Sequence, residues 1–216
     1  MSSRGDMHFP VIINGLDFLH SSVSSLVDEP EGRALKYAVL HLQFAAETLF
    51  KARLELHAPA LVWSNPEKFD ERLHRQGHFK SVGTKDALVR LRDEVEIAEP
   101  VDPDDAGLKA LVDLRNRLTH FGASDTAVAV EARAIPVLDL LLTFIDEELL
   151  PNDNSDSAAD AWELMERTQW TPTAREASTK PSPKAVNRPP TSAWSARQAR
   201  RAWSGSRPQT ILTQRS

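Results

Sequence analysis

The chain contains no cysteine, and that single absence removes disulfide frameworks and thiolate metal sites from consideration. No run of about 18 apolar residues occurs, so no membrane span is expected. The opening "MSSRGDMHFP" puts no apolar stretch between its charges and a cleavage site, so secretion is not expected and the cytoplasm is the expected location. Strand patterning is missing too: no segment sustains apolar/polar alternation with β-branched enrichment. What remains is an ordinary globular composition, 41% hydrophobic and 26% charged over 216 residues, room for one domain with an appendage.

Charge is unevenly divided. Residues 1–166 hold 16 Lys and Arg against 30 Asp and Glu, a net of −14, whereas residues 167–216 hold 10 against 1, a net of +9. An acidic body argues against a broad nucleic-acid groove on the folded part, while the basic tail could supply such binding by itself.

Helical periodicity fills the chain from about residue 10 to 150. In "VIINGLDFLHSSVSSLV", Ile12, Leu16, Leu19, Val23 and Leu26 recur at steps of four and three, the spacing of one helical face. The next helix runs through "ALKYAVLHLQFAAETLFKARLEL", with Leu35, Val39, Leu42, Ala46 and Leu49 in line and no Gly or Pro before Pro59. Asn65 and Pro66 read as cap and first position of a helix stopped by Gly77. Thr84 precedes another, with Leu88, Leu91 and Val95 on one face, and Asp102 with Pro103 repeats the cap-then-proline signal before "DDAGLKALVDLRNRLTH". Gly122 stands where a left-handed helix end would be. Ser124 opens the last helix, which Pro136 should kink or divide. The expectation is an all-α bundle of four main helices plus shorter ones over residues 10–150.

Beyond it, residues 151–170 read as a polar linker with one short helix. Residues 171–216 read as a disordered basic tail: five prolines fall between 172 and 190 and aliphatic residues are few, too little apolar surface to offset ordering entropy.

The chemistry concentrates in "LVDLRNRLTHFG", residues 111–122, which carries Arg115, Asn116 and His120 at the polar end of an apolar-periodic segment. Asn116 and His120 lie about 40° apart on a helix, whereas Arg115 lies about 140° from His120. Cleaving RNA through its own 2′-OH needs a group that exchanges protons near neutrality, the property of histidine, and a fixed cation on the phosphate, which arginine supplies with two-pronged hydrogen bonds. The asparagine amide can hold the imidazole or bond a phosphate oxygen. The bland alternatives stay open: a histidine at a helix C-terminus is favourable without any chemistry, and Arg115 can pair with Asp113 or with an acidic residue of another helix. Arg72 and His78 repeat the bare spacing without the asparagine.

"LRNRLTHFG" resembles the signature of the HEPN domains (higher eukaryotes and prokaryotes nucleotide-binding), all-α bundles with an Arg-x4–6-His motif late in the fold and a polar residue, often Asn, after the arginine. Upstream, "AAETLFKARLE" (residues 45–55) is similar to the long helix of that family, with Glu47 and Lys51 one turn apart. By itself that spacing is an ordinary surface ion pair. The resemblance spans residues 10–150. It implies a metal-independent endoribonuclease with no cofactor, of the toxin or antiphage-defence kind. Arg115, Asn116 and His120 would be catalytic, with Glu47 and Lys51 in support. It also implies a homodimer in which Arg115 of one chain meets His120 of the other across a shared cleft, and a restraining partner such as an antitoxin or a nucleotidyltransferase. The same family contains non-catalytic bundles that bind nucleotide or RNA or serve as dimeric scaffolds, so that alternative is carried alongside.

In the tail, Trp194 and Trp203 bracket Arg197, Arg200 and Arg201. Rings interleaved with arginine suit single-stranded nucleic acid or an acidic partner equally. A third reading therefore makes the body a helical interaction domain whose work is done by the tail.

Overall fold

The computed structural model describes residues 8–27 and 32–167. These residues form an all-α fold of seven α-helices without a β-strand; the one bridge pairs Trp63 with Ser81. Four helices are long: α1 (Val11–Val27), α2 (Gly32–His57), α5 (Ala106–His120) and α6 (Ala127–Phe144). Three are short: α3 (Glu71–Arg75), α4 (Thr84–Asp93) and α7 (Ala158–Arg167).

The 26-residue α2 is the hub, with α1, α4, α5 and α6 packed around it. Its buried side carries Leu42, Leu49, Phe50 and Leu54, all at 0% exposure, and burying each such side chain stabilises by about 1.5–3 kcal/mol. The Phe50 ring meets the Phe144 ring of α6 edge to face at 5.0 Å. α1 lies close enough that a Cβ on Gly15 would come within 2.7 Å of the Leu49 side chain, so glycine is what lets the two helices meet at that level. The stripe of α1 is buried as expected at Ile12, Leu16, Leu19 and Val23, and α5 buries Leu108, Leu111 and Leu114.

Helix signals depart from the sequence expectation in five places, one of them the start of α6, where Thr126 and not Ser124 is the cap, its hydroxyl accepting from the Ala129 N–H at 3.2 Å. Asn65 does cap, but only a 3-10 turn at Pro66–Lys68. Phe69 breaks away to pack on Trp63 and His74, and Asp70 then caps the five-residue α3. Thr84 is the first residue of α4, with Gly83 at the cap position, and its hydroxyl accepts from Gln43 Nε2 of α2 at 3.2 Å. At α5, Asp102 closes a turn onto the Asp104 N–H, and Asp105 is the cap, accepting from the Leu108 N–H at 2.8 Å. Pro136 does not divide α6. Residues 132 and 136 both lie on the solvent side, so the carbonyl that proline leaves without a donor faces water.

The loop between α2 and α4 is pinned by aromatic packing. Trp63 stacks on Phe79 at 4.8 Å and donates its indole N–H to His74 Nδ1 at 3.1 Å, while His74 Nε2 sits 3.3 Å from Glu55 of α2. Arg90 of α4 donates to the carbonyls of Leu61 and Trp63, both at 2.6 Å. Past α6 a π turn (Ile145–Leu149) brings Glu148 into the interior opposite Arg53, and α7 packs back on α1 with Ala161 fully buried. The tail residues Trp194, Arg197, Arg200, Arg201 and Trp203, and the disorder expected of residues 171–216, lie outside the described residues.

Candidate functional site

α5 carries the motif and divides it between two faces. Arg115 points toward α2 and is a quarter exposed. Its Nη1 donates to Asn116 Oδ1 at 3.0 Å, its Nη2 lies 3.9 Å from Glu47 Oε2, and its Nε is buried with no partner among the described residues. Glu47 Oε1 accepts from Lys51 Nζ at 2.5 Å, and Lys51 also donates to Ser81 Oγ at 2.9 Å. The pair that sequence spacing offered as an ordinary surface contact thus has its lysine only 14% exposed, and its carboxylate reaches a guanidinium on a different helix. Arg115 takes Glu47 as its partner rather than Asp113.

His120 lies on the other side. It lines an open groove of about 600 Å³ between the C-terminal half of α5 and α6, together with Ala110, Asp113, Asn116, Arg117, Phe121 and Arg133. The imidazole is exposed, and among the described residues nothing hydrogen-bonds to it. Asn116 is the link between the two faces, since it accepts from Arg115 and also lines the His120 groove. Arg115 does not line that groove, so one chain brings Asn116 and His120 together and leaves Arg115 behind the helix.

Two cations that sequence reasoning passed over stand in the groove instead. Arg133 donates to Asp125 Oδ2 at 2.7 Å and Arg117 approaches the same oxygen at 3.4 Å. Both are eight residues from Asp125, across a turn on one side and within a helix start on the other, which is no helical neighbour spacing; only the α5–α6 turn makes the trio. That turn is shaped by Gly122, whose φ of +133° suits glycine and whose N–H returns to the Arg117 carbonyl at 2.7 Å. Phe121 beside it is 93% exposed and Val128 is 74% exposed, so apolar surface flanks the polar groove.

No cluster of three or more metal-ligating side chains occurs among the described residues. No helix of the described residues is long and apolar enough to cross a membrane. Comparison of the chain with protein-family models, with curated proteins and with solved structures gives no match.

Proposed function

We propose that the chain is a HEPN-type endoribonuclease that cleaves single-stranded RNA through the 2′-OH, working as a homodimer in the cytoplasm. The observation that carries the reading is the groove at the end of α5, where an exposed imidazole with no hydrogen-bond partner among the described residues stands beside Asn116 and two arginines. In the reaction His120 takes the proton of the 2′-OH as O2′ attacks the adjacent phosphorus. The O2′–P bond forms, the P–O5′ bond breaks, and a proton returns to O5′, leaving a 2′,3′-cyclic phosphate and a 5′-hydroxyl. In this reading Arg117 and Arg133 hold nonbridging phosphate oxygens, exchanging the Asp125 carboxylate they share for the phosphate.

A dimer answers the division of the motif. Arg115 does not line the His120 groove of its own chain, but an isologous pairing about that helix end would let Arg115 of the partner subunit complete it. Phe121, apolar and almost wholly exposed at the groove rim, suits the centre of such an interface. Glu47 and Lys51 are positioning residues in this reading, since they act on Arg115 and not on RNA. A restraining antitoxin or nucleotidyltransferase belongs to the same proposal as the partner that would keep a toxin or defence effector silent.

The deciding experiment is cleavage of a mixed RNA by purified protein in EDTA, beside a folded His120→Ala control. Cleavage by the wild type alone, with cyclic phosphate ends, supports the reading. Groove-dependent RNA binding without cleavage favours the second reading, a non-catalytic bundle that binds RNA or nucleotide, which the Arg117 and Arg133 cations support by themselves.

A further inference from the structure

Helix α2 is continuous from Gly32 to His57, so positions 33, 37, 40, 44, 47 and 51 fall within about 40° of one line along it. That line is the outward side: residues 33, 37 and 44 are exposed and 40, 47 and 51 partly so. At one end it reaches Glu47 and Lys51, and through Glu47 the guanidinium of Arg115. At the other it carries rings and cations that the preceding reading does not use. Tyr37, His41, Phe18 of α1 and Phe44 form an unbroken series with centroid separations of 5.9, 5.9 and 5.4 Å. Tyr37 and Phe44 are each 39% exposed. His41 is fixed in the series by the Ser21 hydroxyl at 2.7 Å. The Arg33 guanidinium and the Lys36 ammonium lie 5.8 and 5.9 Å from the Tyr37 ring centroid, and among the described residues neither makes an ion pair.

We infer that this four-ring ledge with its two cations is a binding track for single-stranded RNA, feeding strand toward the Arg115 end of α2. The inference rests on the RNA-cleaving reading for the direction of the strand, but not for the binding itself. Rings offer stacking faces that accept any base, and the adjoining cations meet the backbone, which is the combination single-strand binders use. The run from Arg33 to Phe44 covers about 17 Å at 1.5 Å per residue, enough for a few nucleotides. Cations beside the rings, in place of an uninterrupted apolar surface, are what favour a nucleic acid over a protein occupant here.

The test uses the full-length protein and a labelled 2′-O-methyl oligoribonucleotide about 12 residues long, which lacks the nucleophile and so separates binding from cleavage. Fluorescence anisotropy should show Tyr37→Leu and Phe44→Leu each weakening binding by about tenfold. Leucine keeps helix propensity and apolar bulk, and a circular dichroism melt checks folding. Removing both cations with Arg33→Gln and Lys36→Gln should flatten the log–log salt dependence by about 1.4. Wild-type protein that binds through the ledge yet cleaves no RNA would sink the ribonuclease reading and leave the track standing. Ledge variants that bind normally, or a wild type that does not bind, overturn the track even if cleavage is observed. It is equally overturned if the variants change only the sedimentation mass, since the ledge would then face protein.

Discussion

Replacing Glu148 by Gln isolates the one buried ion pair that ties the π turn to the hub helix. Glu148 is 7% exposed and Arg53 is 9% exposed. Glu148 Oε1 accepts from the Ala98 N–H at 3.0 Å, and Oε2 lies 3.8 Å from Arg53 Nε, which has no hydrogen-bond partner among the described residues. Burial pushes the Arg53 guanidinium below its usual range, and the Glu148 charge pulls it back up. Glutamine keeps the acceptor for Ala98 and the shape, and removes only the charge. Breaking a buried pair costs about 3–5 kcal/mol when the contact is tight; at a separation beyond hydrogen bonding, about 2–3 kcal/mol is expected. Adding Arg53→Met removes the stranded cation and its orphaned Nε, so the double variant should return to within about 1 kcal/mol of the wild type, a recovery of about 1–2 kcal/mol over the single variant. Urea unfolding followed by far-ultraviolet circular dichroism gives these values from the midpoint at constant m. A single variant that loses less than about 0.5 kcal/mol, or a double no better than the single, would refute the argument that the charge of Glu148 is there to answer Arg53.

Mixing Arg115→Ala chains with His120→Ala chains should restore about a quarter of wild-type cleavage, because half of a statistical mixture is heterodimer and each heterodimer holds one intact composite site. No restoration on mixing would show that both residues act within one chain. Glu47→Gln should lower cleavage about tenfold by freeing Arg115, while thermal stability barely moves, since a partly exposed pair contributes little; equal losses in both would make Glu47 merely structural. Leu111→Ala, at a fully buried position of α5, should cost about 2–5 kcal/mol in urea unfolding, and a smaller loss would mean the site collapses around the gap. Asp104 accepts from Lys85 of α4 and Lys109 of α5, each at 2.8 Å, and the two ammonium groups hold its carboxyl down to about 2. Because that lies below the unfolded value near 3.9, the contribution is present above about pH 4 and lost as pH falls toward 2. Melting curves of Asp104→Asn and wild type should therefore differ at pH 6 and converge in acid.

The sequence by itself determined the helices and their inner faces. The apolar spacing of α1 and α2 marks Ile12, Leu16, Leu19, Leu42 and Leu49, and all of them are buried, because a 3.6-residue period leaves one side of a helix to pack. It also put Arg115 about 140° from His120, and the folded α5 keeps Arg115 out of the His120 groove. The sequence did not determine where helices begin when two acidic residues compete for the cap, as at α5, where Asp102 closes a turn and Asp105 caps. Only tertiary structure decided that Glu47 answers Arg115, that Asp125 gathers Arg117 and Arg133 beside His120, and that Phe18 joins the rings of α2. Each of those contacts joins residues whose separation matches no local period, and hydrophobic packing of the helices fixes which polar side chains are left facing one another.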